Sequence, residues 1–354
     1  MEIGFSIYAS SGSDVNTRIL ERVWDADFSY AFTSLHIPEE ATPQMREAQR
    51  ELLQSLRDLD VEVIADIGPR TLHDLNLSSI DELKQYPITH LRIDYGFSLE
   101  EIAKIAQQFI VVLNPSTFVT LDFFELLQLG VTIDRLVACH NFYPKRLTGL
   151  AMKKVAESNR FFTYHGIKTM VFIAGDGQKR GPVFEGLPTV EALRDIPPLE
   201  AAMILRDQAC CDVVLIGDID LIDESWDKIV ALSHNYITLP CLLDENYTEL
   251  YNRISHDRQD SSDAVIRTQE SRIYASLGQK VGPTGATQID AGSILIGNEN
   301  YARYSGEVEI ARIALADEPR KNNIGKIALK ALPLLAYIHS GMGFMLVEDT
   351  EIKL

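Results

Sequence analysis

The chain has 354 residues and a formal net charge of −18, from 51 acidic against 33 basic side chains. Its length favours a large domain plus a smaller one, since a single core rarely serves more than about 250 residues, and a field of that sign repels nucleic-acid phosphates and anionic lipid. A composition 46% apolar and 24% charged is that of a packed globular protein, and no apolar run nears the ~18 residues of a membrane span.

The start Met1-Glu2-Ile3-Gly4-Phe5 lacks the basic and apolar regions of a secretory leader. Cys139, Cys210, Cys211 and Cys241 form no C-x-x-C pair, so they read as buried thiols in a reducing, cytoplasmic compartment.

Eight short β-branched runs follow one another along the first 220 residues, at 2–10, 30–37, 61–68, 90–96, 109–114, 135–143, 168–176 and 212–218. Helical periodicity fills the gaps, as at 42–59, 99–108, 122–129 and 147–159, with Pro43 near a first turn and Leu52, Leu53 and Leu56 on one stripe. This α/β alternation predicts a (β/α)8 barrel, with a doubly wound open sheet as the alternative. After Trp226 the pattern becomes β-rich, with strands expected at 236–243, 264–267, 292–296, 307–315, 326–329 and 343–347 and turns at 281–285 and 321–325. The domain boundary is therefore drawn between residues 234 and 235.

Strand alternation sends polar residues of the barrel interior to the strand ends, where barrel enzymes keep their active sites. Ser6 and Tyr8 mark strand one, His36 strand two, Asp66 strand three, and Arg92 and Asp94 strand four; Asn114, His140 and Asp218 end strands five, six and eight. A strand-end aspartate can equally cap the next helix. Asp94 stands out because Arg92 lies one layer below it on the same face and can orient its carboxylate. Two polar loops extend this rim: His140-Asn141-Phe142-Tyr143-Pro144 after strand six, and the stretch from Gly175 to Thr189 after strand seven, which carries Asp176, Lys179, Arg180 and Glu185.

The motifs of several chemistries are missing. There is no H-x-H pair on strand one and no three-ligand zinc spacing, so no metal is implied. A late inward lysine for Schiff-base chemistry and a G-x-G-x-x-G turn for a dinucleotide are also lacking, and no cofactor is expected. Carboxylate chemistry remains.

The segments Gly4-Phe5-Ser6-Ile7-Tyr8, Leu91-Arg92-Ile93-Asp94-Tyr95-Gly96-Phe97, His140-Asn141-Phe142-Tyr143-Pro144, Arg180-Gly181-Pro182 with Glu185-Gly186-Leu187-Pro188-Thr189, and Asn300-Tyr301-Ala302-Arg303-Tyr304-Ser305-Gly306-Glu307 resemble the bacterial 6-phospho-N-acetylmuramidases, a glycoside hydrolase family. The resemblance spans nearly the whole chain. It implies a TIM barrel followed by a cyclophilin-like β-barrel domain. It also implies hydrolysis of the β-1,4 bond between 6-phospho-N-acetylmuramic acid and N-acetylglucosamine during intracellular cell-wall recycling.

Such a reaction needs a carboxyl acid and a second carboxylate, about 5 Å apart for retention and roughly 6.5 to 9.5 Å for inversion, or else the substrate's own acetamido group as nucleophile. Asp94 is the first choice for one role; Asp66 or Glu185 is the partner, with Asp176 behind them. Arg92, His36, His140, Asn141, Tyr143, Lys179 and Arg180 supply donors for the 6-phosphate and lactyl carboxylate, and Ser6, Tyr8, Asn114 and Asp218 complete the polar lining. The second domain is expected to cover the barrel mouth or to mediate a homodimer. The alternatives are a sugar-phosphate-binding regulatory protein and a barrel epimerase or isomerase using the same carboxylates.

Overall fold

In the computed structural model eight parallel strands close on themselves in chain order. They are β1 (Glu2–Ser6), β2 (Tyr30–Ser34), β3 (Glu62–Ile67), β4 (Ile88–Ile93), β5 (Ile110–Leu113), β6 (Leu136–Cys139), β7 (Lys168–Ile173) and β8 (Val213–Ile216). Because β1 pairs with both β2 and β8, the sheet has no edge and the open-sheet alternative is excluded. The structure describes residues 1–35, 42–118, 120–276 and 280–349. The chain divides into two units, Met1–Ser233 and His234–Leu354.

Helices α1 (Ser13–Trp24), α2 (Pro43–Ser55), α3 (Thr71–Asp74), α4 (Leu99–Ala106), α5 (Thr120–Gln128), α6 (Met152–Tyr164), α7 (Pro198–Ala209) and α8 (Asp223–Ser233) follow the strands. Their starts are chemically marked. Thr42 accepts from the Met45 N–H with Pro43 in the first turn, and Ser98 with Glu101 forms a capping box. Helix α6 starts five residues later than its periodicity predicts. The carboxylate of Glu191 binds the Leu147 and Gly149 N–H groups, and Leu150 bridges Val190, holding that stretch against the next loop instead.

Inside the barrel, Tyr8, Phe32, Ile64, Val112, Val137, Phe172 and Leu215 belong to one buried cluster. Each such side chain stabilises the fold by about 1.5–3 kcal/mol. The polar layer lies above it. A register shift between Val63 and Ile64 sets Asp66 opposite Arg92 on β4, while Ser34 of β2 lies opposite Asp66. One row of the sheet therefore reads Ser34, Asp66, Arg92.

The second unit is a seven-stranded sheet ordered β10-β15-β9-β14-β12-β13-β11, antiparallel except for the β9–β15 pair. Its strands are β9 (Tyr236–Leu243), β10 (Ile254–His256), β11 (Val265–Arg267), β12 (Ser293–Gly297), β13 (Val308–Ala311), β14 (Lys321–Ile327) and β15 (Gly343–Glu348), with α9 (Gln269–Ser276) after β11. Two expectations change here: β10 is additional, and the turn expected at 321–325 is the first part of β14. Asn322, a turn former by propensity, is buried in that strand. Its amide donates to the Gly282 carbonyl and accepts from Thr284, Gly285 and Asn298, so tertiary bonds outweigh local preference. Among the described residues no helix is long and apolar enough to cross a membrane.

Candidate active site

Arg92, wholly buried, organises one side of the barrel mouth. One terminal nitrogen donates to Asp66 Oδ1 at 2.9 Å. The other donates to Asn141 Oδ1 and lies 3.7 Å from Asp94 Oδ1. Burial works against the Arg92 charge, but Asp66 and Asp94 outweigh it and hold its pKa above the ordinary value. Asp66 also accepts from Ser34 Oγ at 3.4 Å.

Asp94 is held on one oxygen only. Its Oδ1 accepts from Asn114 Nδ2 at 2.7 Å and from Asn141 Nδ2 at 3.4 Å. Its Oδ2 has no hydrogen bond among the described residues, and the side chain is 27% exposed. Asn114 is itself fixed, its Oδ1 accepting from the Ser116 N–H. Behind Asp94 the chain turns at Gly96 with φ +82°, where a Cβ would lie 2.3 Å from Pro69, so only glycine lets these two loops meet. Strands β3 to β6 thus bring together Asp66, Arg92, Asp94, Asn114 and Asn141.

The other side of the mouth is aromatic and cationic. The Tyr8 hydroxyl donates to the Gly217 carbonyl, and burial pushes its phenol pKa up. The Arg180 guanidinium sits 3.6 Å above the Tyr8 ring and 5.8 Å from that of Phe142. Phe142 in turn meets Phe32 and Phe172 edge-on, and Ser6 is buried in the same wall. Lys179 Nζ lies 3.0 Å from where a Cβ on Gly186 would fall, and Gly186 has φ +88°. Neither Lys179 nor Arg180 pairs with a carboxylate among the described residues.

Several residues proposed as ligands work inside the protein instead. Asp218 is fully buried and accepts the N–H groups of Gly175, Arg180 and Leu187, folding the β7 loop that presents Arg180. Asp176 accepts from the Ile222 N–H and from Ser225 Oγ, capping α8. His140 turns to α6: since Asn159 Nδ2 donates to the Ala209 carbonyl, Asn159 Oδ1 accepts from His140 Nε2, and Ser116 Oγ donates to Nδ1. The reason is alternation, because Cys139 takes the inward position. Burial pushes the His140 pKa down to about 4.

Glu185, 41% exposed, has its carboxylate 3.9 Å from Arg146, with no bond to the Asp66–Arg92–Asp94 group. Tyr143 is anchored through its backbone to Pro188 and Arg194. His36 lies outside the described residues.

Arg194 escaped the sequence reading. Buried, it donates to the carbonyls of Tyr143, Lys145, Glu185 and Gly186 and to both oxygens of Glu191, clamping the β6 and β7 loops. That contact holds Glu191 down to a pKa of about 2. An arginine after an irregular turn has no local signature of burial. Among the described residues no group of three or more His, Cys, Asp or Glu side chains is placed to hold a metal.

Residues 3–231 match the N-terminal model, and residues 237–347 the C-terminal model, of 6-phospho-N-acetylmuramidase. The chain belongs to the 6-phospho-N-acetylmuramidase family. That family name denotes a glycosidase, a class of chemistry run by paired carboxyls. No curated protein matches the chain. Among solved structures, it is similar to a conserved Enterococcus faecalis protein of unknown function, at 27% identity and a TM-score of 0.77, over 99% of this chain and 97% of that one. An uncharacterized B. cereus protein has the same fold, at 24% identity and a TM-score of 0.71 over 98% and 99% of the two chains.

Proposed function

We propose that this protein is a cytoplasmic hydrolase of cell-wall recycling that cleaves the β-1,4 bond between 6-phospho-N-acetylmuramic acid and N-acetylglucosamine, its second unit being a cyclophilin-like domain. The observation that carries the reading is Asp94, anchored by two amides on one oxygen and, among the described residues, unbonded on the other. Because Oδ1 already accepts two N–H donors, a proton on this carboxyl resides on Oδ2. From there it can pass to the leaving O4 as the C1–O4 bond breaks; a water oxygen then bonds to C1 and gives its proton to a base. Without that proton the same oxygen is free to attack C1 or to activate the water.

Arg92, bonded to Asp66, lies 3.7 Å from this carboxyl and faces its charge, and Asp66 is the second carboxylate of the group. Lys179 and Arg180, paired with no carboxylate among the described residues, suit the 6-phosphate. The test offers muramyl-glucosamine disaccharide with and without the 6-phosphate. Release of N-acetylglucosamine from the phosphorylated form alone is the expected outcome. Tight binding without release would instead identify a sugar-phosphate sensor. The anomer first formed, read by proton NMR, separates inversion from the two retaining routes.

A further inference from the structure

A cavity of about 470 Å³ lies wholly within the second unit, lined by Arg258, Arg267, Arg272 and Lys321 together with Tyr301, Tyr304 and the carboxylates of Glu307 and Glu309. In a chain of net charge −18 four cations facing one space need a reason, because they repel one another unless something answers them.

The wall answers them only in part. Arg272 pairs with Glu307 at 2.6 Å and Lys321 with Glu309. Arg258 and Arg267 share the single exposed carboxylate of Asp260. Arg267 Nε is buried without a hydrogen-bond partner among the described residues. The tyrosines act as platforms: Arg272 lies 5.2 Å from the Tyr304 ring and Lys321 5.9 Å from that of Tyr301, while the two rings meet edge-on at 5.8 Å. Arg320, over the Tyr301 ring at 4.5 Å, is paired with Glu318 behind that wall. Three carboxylates, those of Asp260, Glu307 and Glu309, thus answer the four cations that line the cavity. The Tyr304 phenol feels the surplus, its pKa lowered by the Arg303 hydrogen bond and further by Arg272. Tyr301 and Tyr304 are carried by a turn in which Ala302 has φ +52° and ψ −116°, a strained conformation kept only where the surroundings enforce it.

We propose that this cavity of the second unit is a binding site for a phosphorylated sugar of monosaccharide size. The cations meet the phosphate, and Glu307 and Glu309 accept from hydroxyls while repelling longer polyanions. The volume exceeds what an inorganic anion fills and lies within the range of small-molecule sites. The site stands or falls independently of the hydrolytic reading, since none of its residues belongs to the barrel.

The test is calorimetric titration of the full chain carrying Lys179→Met and Arg180→Met, which removes the two cations assigned above to the phosphate of the barrel mouth. The probes are glucose 6-phosphate, glucose and inorganic phosphate. One equivalent of glucose 6-phosphate is expected to bind, at least tenfold tighter than either of the others. Adding Arg272→Gln should weaken it at least tenfold. So should Arg258→Gln, a partly exposed substitution whose unchanged melting temperature shows that the fold is kept. No saturable binding, or binding indifferent to both substitutions, overturns the proposal. Equal affinity for glucose removes the phosphate from it, and equal affinity for inorganic phosphate removes the sugar; either result overturns the assignment.

Discussion

On the β3–β6 side of the barrel mouth every charged group is tied to another: Asp66 to Arg92, Arg92 to Asn141 and Asp94, Asp94 to two amides. On the β7–β8 side Arg180 rests on Tyr8 and Lys179 lies against Gly186, neither with a carboxylate among the described residues. The loop beneath them is held by Asp218 and Arg194 through backbone groups alone. The first side spends its polar groups on fixing one carboxyl, which is what a reacting group requires. The second fixes its backbone and leaves two cations unanswered, which is what an anion-binding surface requires. The two sides are joined at consecutive residues, Asn141 on the first and Phe142 on the second.

The largest effect should come from the fixed side. Asp94→Asn keeps the shape and hydrogen bonds but removes the proton-transferring oxygen, so kcat should fall by roughly 10²–10⁴-fold with KM little changed. Unchanged turnover in steady-state kinetics would take Asp94 out of the mechanism and break the comparison. On the other side Lys179→Met should raise KM for the phosphorylated disaccharide by about 10- to 100-fold, the worth of one charge-assisted bond of roughly 1.5–3 kcal/mol, while kcat holds. A fall in kcat alone would show the cation working on the reaction and blur the division.

The smallest effect concerns pH. His140 has its pKa lowered to about 4 by burial, so the unfolded chain binds its proton first, near 6.5. Its contribution to stability is full above pH 6.5 and is lost as the pH falls toward 4. Denaturant unfolding at a series of pH values should show the slope in that window shallower by up to one proton in His140→Gln. A slope that does not change would mean that His140 is protonated in place.

Much of the fold was legible because each barrel strand is a short apolar run and α2, α4 and α7 carry a cap or a first-turn proline. The series of β-α units and the β-rich second unit needed only periodicity, while closure rests on the β1–β8 pair. Within the site, alternation correctly placed Arg92 inward at the end of β4, and its bonds to Asp66 and Asp94 followed from the register. Alternation failed one step beyond the strand: His140 follows Cys139 and so turns to the helix layer, where Asn159 receives it. Capping was legible for the strand-end aspartates as a class, but not that Asp176 would serve α8 rather than the next helix, nor that Asp218 would anchor a loop, because both jobs depend on groups far away in sequence.

Alternating polarity by itself determined eight β-α units, a second β unit and a ring of polar strand ends, since side-chain direction along a strand is a local property; closure of the sheet came from the pairing of β1 with β8. The tertiary structure alone decided which carboxylate keeps a free oxygen, which cations go unpaired, and that Arg194 is buried. Each of those depends on partners brought near by closing the barrel, at separations along the chain that no local pattern records.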